Sequence, residues 1–315
     1  MSIRRTITVR SPSKVNLALA VGAPSPAHGG LHPISSWMIT VDLFDDLTLT
    51  RLEDDALSMY AILWAADAKR RREIDWSITK DLAVRAHQAL ERHAGRELPV
   101  KLKLEKRIPV GGGLGGGSSN AAAMLRGVNE LFSLGLELDA LATIGASLGS
   151  DVPFLVRGGS ALVRGVGDSL EHHAQIPELD FVLVFPEASC PTGPVYGAFD
   201  RLRPGASLDD ARVRSLVDAT MPGAGRPGSL AHAAPFNDLA APAFEVAPSL
   251  AADAQRIQAV VERPVHVSGS GSTLFFVCNG RVEAELLAEA VSSKLELPAI
   301  AVRPIAASPV RCSTP

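Results

Sequence analysis

VKLKLEKRIPVGGGLGGGSSNAAAML, residues 100–125, is the stretch from which the rest of the chain can be read. Val100, Leu102 and Leu104 alternate with Lys101, Lys103 and Glu105, which predicts a strand over 100–108 with one wet face. Pro109 stops it, and a loop over 111–117 follows. Six of the nine residues from Gly111 to Ser119 are glycine. Glycine tolerates positive φ, so such a loop can turn successive N–H groups toward one point. Ser118, Ser119 or Asn120 can cap a helix that opens with the strong helix formers Ala121 to Leu125. A helix N-terminus carries unpaired N–H groups and the positive end of the macrodipole, and so favours an anion. The hydroxyls of Ser118 and Ser119 add groups for phosphate oxygens or a Mg2+ ion. The whole is suited to a triphosphate.

Other readings of the loop fit less well. Gly111, Gly113 and Gly116 spell GxGxxG, but a dinucleotide site needs buried parallel strands in a βαβ unit. Here the strand has a charged face, and the helix is followed by another helix. A Walker A loop needs Lys after its last glycine, where Ser118 stands. A flexible linker would not lie between a patterned strand and an Ala-rich helix.

Working outward, residues 7–10 and 41–51 alternate as half-buried strands, with a Gly/Pro/Ser/His loop at 22–33 between them. Helices are predicted over 81–93, from the serines to Gly135, and over 139–148. A strand pair is expected from 160–164 and 181–185, with a polar segment and the domain boundary between. Helix 249–262, strands 264–268 and 273–278, and helix 281–294 complete a second domain. The Gly/Pro/Ala-rich segment 203–235 yields no clear element.

Composition narrows the function classes. The 315 residues suit two domains, and 46% hydrophobic with 21% charged residues is globular. With 31 basic and 34 acidic residues, a net charge of −3 argues against a nucleic-acid surface. The short run Lys69–Arg72 reads as a solvated loop or helix face. Cys190, Cys278 and Cys312 are too scattered for a zinc site or disulfide framework, and are expected as reduced thiols. No run approaches the ~18 apolar residues of a membrane span, and the first ten residues lack a signal-peptide core. A soluble, cytoplasmic protein without membrane partners is expected.

The loop in the form PVGGGLGGGSSNAAA, together with SPSKVNL at 11–17 and VSGSGST at 267–273, resembles the GHMP kinases over roughly residues 6–305. GSDVPF (149–154), NDL (237–239) and PTGPVY (191–196) look most like the branch that phosphorylates the 2-hydroxyl of a cytidine diphosphate-linked methylerythritol in isoprenoid precursor synthesis. The resemblance implies an α+β, two-domain fold: a ribosomal-protein-S5-domain-2-like ATP-binding domain over 1–168 and a ferredoxin-like domain over 178–306. It implies ATP and Mg2+ as cofactors, with ATP held by Pro109, Val110, Gly111, Gly112, Gly113, Leu114, Gly115, Gly116, Gly117, Ser118 and Ser119.

The same resemblance makes Asp151 the catalytic base, although an Asp before Val-Pro can equally cap a helix. Lys14 becomes the catalytic cation, against the usual fate of a solvated lysine. Asn16, His32, Tyr196, Gly269 and Gly271 fall with the substrate. His32 and Tyr196 would meet cytosine, although an exposed loop histidine and a core tyrosine are the plainer alternatives. Gly269 and Gly271 can also serve as a tight turn. His172 and His173 are expected at the surface.

Two positions depart from the branch. GGLH at 29–32 stands where the branch has DGYH, so Leu31 replaces an aromatic partner for cytosine. Asp81 stands where Asn is usual. A kinase of another alcohol or sugar, and a non-catalytic ATP-binding paralogue, are the alternative functions. Intact Lys14 and Asp151 argue against the second.

Overall fold

The computed structural model describes residues 5–221 and 234–306, and the backbone of 310–313. Residues 222–233 of the 203–235 segment and the Cys312 side chain therefore lie outside the described residues.

The first lobe runs through β1 (Thr6–Val21), β2 (Ile34–Arg51), β3 (Met59–Trp64), α1 (Leu82–Ala94), β4 (Val100–Lys106), α2 (Gly116–Leu131), α3 (Leu138–Ala146), α4 (Val152–Arg157), β5 (Ser160–Gly165) and β6 (Ser169–His173). Its sheet has the order β12-β1-β2-β4-β3, with β5 and β6 continuing from β2. β2 is long enough to pair with β4 through Asp46–Arg51 and with β5 through Ile34–Ile39. Two later segments complete this sheet: β8 (Phe236–Asn237), parallel to β1, and β12 (Val310–Ser313).

The second lobe contains β7 (Asp180–Val184), α5 (Thr192–Leu202), α6 (Asp210–Thr220), α7 (Ala240–Val246), α8 (Pro248–Val261), β9 (His266–Val267), β10 (Leu274–Cys278), α9 (Arg281–Leu295) and β11 (Ala299–Val302). Its sheet has the order β11-β7-β10-β9, all antiparallel. With α8 and α9 as crossovers, this is the split βαβ arrangement expected of a ferredoxin-like unit. The α+β class is therefore as expected.

Two expectations need correction. Residues 160–164 and 181–185 do not pair: β5 belongs to the first sheet, with β2 and β6, and β7 to the second. The glycine loop also ends sooner than its serines suggest, because α2 starts at Gly116 with Gly115 as its cap. Gly115 has φ +68, which a side-chain cap could not adopt without strain.

Three apolar cores hold the elements. One lies between the first sheet and α1–α4 and includes Ile7, Leu49, Met124 and Phe154. α2 approaches the sheet so closely that a Cβ on Gly127 would stand 2.5 Å from Leu49 Cδ1. Another joins the lobes, with Val15, Leu17, Trp37 and Ile39 against Phe181 and Phe275. The third fills the second lobe around Phe276 and Ile257. From Ser11 onward β1 is therefore buried on both faces, and every residue there is enclosed.

Candidate active site

The glycine loop lies where the two lobes meet. Gly111, Gly113 and Gly115 have φ between +68 and +74, the left-handed region in which glycine is strongly favoured. Opposite it runs the 268–272 turn, and the two are joined through backbone. Thr273 N–H donates to Gly112 O (3.1 Å) and Ser268 Oγ donates to Gly113 O (3.1 Å). A Cβ on Gly113 would fall 2.1 Å from Ser268 O, so this contact requires glycine. Asn237 braces the turn from below by donating its amide to Val267 O and Gly269 O. The NDL triplet, entered from β8 of the first sheet, thus supports the site.

Two cavities open on this junction. The larger, about 530 Å3, is lined by Pro109 through Ser118 and by Trp76, Asp81, Leu82 and Lys106. The smaller, about 240 Å3, is lined by Lys14, Asn16, Asp151, Tyr196, Gly269 and Ser270 among others. Gly113, Gly115 and Thr192 border both, so the cavities meet at the glycine loop.

Asp151 and Lys14 face each other on the lining of the smaller cavity. Asp151 occupies the N-cap of α4, yet its side chain makes no capping bond. Its carboxylate lies 3.9 Å from Lys14 Nζ instead. The capping alternative is therefore excluded. Lys14 is buried, its stem under Gly115 and its ammonium beside Gly269. Burial pushes its pKa below the usual lysine value, with Asp151 opposing the shift. Asn16 Oδ1 accepts from Lys14 Nζ at 2.6 Å, while its amide donates to Ser36 Oγ. Asn16 thus aims the lysine as well as lining the cavity.

Tyr196 lines the smaller cavity, and burial, with Asp151 adding to it, raises its pKa to about 12. Its phenol stays protonated and can donate. His32 packs against it, with ring centroids 4.8 Å apart. His32 Nδ1 donates to Gly22 O (2.9 Å), leaving Nε2 3.6 Å from Asp200. Leu31, 58% exposed, lies on neither cavity's lining.

Several sequence expectations change here. Ser119 is not a phosphate ligand: its hydroxyl donates to Pro12 O and accepts from Ser11, and its N–H bonds Gly115 O. It ties α2 to β1. Gly271 does not line the cavity; it packs against Cys190 and Val267 and shapes the turn. His172 and His173 are half-buried rather than on the surface, and His172 stacks on Phe154. Arg72 in the basic run donates to Glu187 O and Ala188 O, joining the lobes. Trp76 lines the larger cavity and was not singled out in the sequence. No motif marks it.

Comparison with known proteins places this arrangement. A model of the GHMP kinases N terminal domain matches residues 81–159. The 4-diphosphocytidyl-2-C-methyl-D-erythritol kinase of Caulobacter vibrioides (strain NA1000 / CB15N) is 36% identical over 286 residues, 89% of this chain and 92% of that protein. The chain belongs to this kinase family. The protein of the same name from Exiguobacterium sibiricum is 42% identical over 214 residues, 68% of this chain and 70% of its own length. A crystal structure of 4-(cytidine 5'-diphospho)-2C-methyl-D-erythritol kinase superposes with TM-score 0.71 at 30% identity, covering 94% of this chain and 98% of that one. Homoserine kinase from Cytophaga hutchinsonii shares the fold at 16% identity and TM-score 0.65, covering 99% of each chain. This chain is an ATP-dependent small-molecule kinase of the GHMP type. No helix among its described residues is long and apolar enough to cross a membrane.

Proposed function

We propose that this kinase transfers the γ-phosphoryl group of ATP to the 2-hydroxyl of 4-diphosphocytidyl-2-C-methyl-D-erythritol, a step in isoprenoid precursor synthesis. The observation that carries the reading is the Lys14–Asp151 pair in the smaller cavity, with the Lys14 stem against Gly115, which borders both cavities. ATP takes the larger cavity, with its phosphates over the glycine loop and the α2 N-terminus, and the cytidylated alcohol takes the smaller. Asp151 accepts the proton of the attacking hydroxyl, and Lys14 offsets charge on the transferred phosphoryl group. Transfer is direct and in line, without a phosphoenzyme. Tyr196, flanked by His32, offers an aromatic wall to cytosine.

The residues present fit a Mg2+ ion held mainly by phosphates. The available donors are oxygens: the Ser118 hydroxyl, close beside Gly149, and the Asp151 carboxylate two residues on. Among the described residues no cluster of three His, Cys, Asp or Glu forms a cage of its own. When bound, the ion supplies neutralisation of β- and γ-phosphate charge. We take residues 1–168 as the ATP-binding domain and 178–306 as the second; β6, just after residue 168, still belongs to the first sheet, and the change of sheet falls between β6 and β7. Buried free thiols at Cys190 and Cys278 agree with a reducing, cytoplasmic setting.

Substrate-dependent ADP release with Mg-ATP and the cytidylated alcohol tests the assignment. Turnover of a different alcohol only would replace it. Leu31→Tyr is expected to lower KM for the cytidylated substrate by about tenfold, within the stacking range of ~1–3 kcal/mol. An unchanged KM would mean that Tyr196 and His32 alone complete the base wall.

Lys14 makes a further prediction. Its pKa lies below 10.5, so between the two values the unfolded chain holds the proton more tightly and stability rises with pH. The whole penalty of the buried charge is present only below the lowered pKa. Lys14→Met removes that charge but leaves Asn16 Oδ1 without its donor, so Tm should stay within about 2 °C of wild type while turnover collapses. In the wild type, kcat should decline as pH rises through the lowered Lys14 pKa. A Tm well below wild type in Lys14→Met would contradict this account.

A further inference from the structure

One wall of the larger cavity consists of a segment that plays no part in the chemistry described so far. Between β3 and α1 the chain is pinned at three places. Ala65 N–H donates to Lys106 O (2.9 Å), and Trp64 Nε1 donates to Arg72 O (2.6 Å). Arg72 then reaches across the lobes to the carbonyls of Glu187 and Ala188. Trp76 follows this last anchor and lines the cavity.

The indole is held as well. Trp76 Nε1 donates to Asp81 Oδ2 (3.1 Å), and Asp81 Oδ1 accepts from Ala83 N (2.9 Å) as the cap of α1. One buried carboxylate thus fixes the ring and the start of the helix together. Leu82, the next residue, packs 3.3 Å from where a Cβ of Gly117 would stand. The ring is therefore positioned relative to the glycine loop itself. Asn in place of Asp81 would offer one acceptor oxygen for two donors, which gives this departure from the branch a physical sense.

The ammonium of Lys106, one of the two lysines on the lining, is engaged elsewhere. Lys106 is buried and holds its ammonium 2.6 Å from Asp45 Oδ2. Leu82, Ile108, Pro109 and Val110 supply an apolar stretch of wall, with Lys80 and Asn120 also on the lining. The cavity therefore has a polar, glycine-lined part that borders the second cavity, and an apolar part that carries one fixed aromatic plane. That is the layout for a nucleotide whose base stacks flat.

We propose that Trp76 is the stacking wall for the base of the phosphoryl donor, and that Asp81 is a positioning residue acting through it. This rests on ATP occupying the larger cavity. A pre-set ring loses little freedom on binding, which favours affinity for the base. Its contribution belongs to binding in ground and transition states alike, so KM for ATP carries it and kcat does not.

Calorimetry on the full chain with ADP and with inorganic tripolyphosphate tests it. In Trp76→Ala the ADP Kd is expected to rise on the order of ten- to hundredfold. Tripolyphosphate affinity, kcat and KM for the alcohol should hold. Asp81→Ala should weaken ADP in the wild-type background but not further in Trp76→Ala, and Asp81→Asn should restore part of the loss. Equal ADP affinity in wild type and Trp76→Ala overturns this inference alone. Failure of ADP to bind wild type overturns the nucleotide cavity and the inference together. Equal losses from Asp81→Ala with and without the ring overturn the positioning role.

Discussion

Asp151→Asn is expected to lower kcat by about 10²–10⁴, the range for a positioned general base, with KM for ATP nearly unchanged. The substitution keeps shape and removes only the acceptor for the hydroxyl proton. Asp151 caps no helix bond, so the fold has little reason to respond. Lys14 does respond. Asp151 raises its pKa against the effect of burial, and without that charge the pKa falls further. The alkaline limb of the pH profile should therefore move to lower pH in the variant. Coupled ADP release across pH measures both effects. A variant with wild-type kcat would remove Asp151 as base and leave positioning over the glycine loop as the source of catalysis.

Gly113→Ala is expected to lower ATP-dependent turnover by more than about 10²-fold, because the glycine loop and the 268–272 turn must part to admit one methyl group. The added carbon would stand 2.1 Å from Ser268 O, which is backbone and cannot rotate away. The residue also sits at φ +74, where a side chain adds roughly 1–2 kcal/mol of strain. Gly111→Ala separates the two causes. It has φ +70 but nothing within 4 Å of the new carbon, so it carries the strain without the collision. ADP affinity and turnover should fall much further in Gly113→Ala than in Gly111→Ala. Similar losses in both would show that backbone freedom, rather than contact between the loops, is what the motif supplies.

Residues with local signals were legible in the sequence. Alternation from Val100 gave β4, Asp81 and its following apolar residues gave α1, and the glycines gave the loop before α2. Asp151 and Lys14 were found through their motifs, and the structure brings them within 3.9 Å of each other. Where packing overrode local pattern, the reading fell short. β1 continues to Val21, although only residues 7–10 alternate, because both its faces are covered beyond Arg10. A doubly buried strand loses its period of two. α4 and α7 are too short and too rich in proline to show a helical period. Ser119 carries the right group for a phosphate, but its position one turn into α2 points it at β1. Side-chain direction on a helix depends on where the helix starts, and Gly115, not a serine, sets that start.

β8 is two residues long, yet it has a consequence for how the enzyme comes into being. Its partner is the strand that bears Lys14, and Asn237 within it holds the turn opposite the glycine loop. On a ribosome, Lys14 emerges some tens of seconds before Asn237 at ordinary rates of synthesis. Until then the strand has an open edge along Ala18 and Leu19, and the turn at Ser268 does not yet exist. The nascent chain thus carries all of its glycine loop and both charged residues without a working site. Activity arrives late and all at once, when the last third of the polypeptide closes over the first.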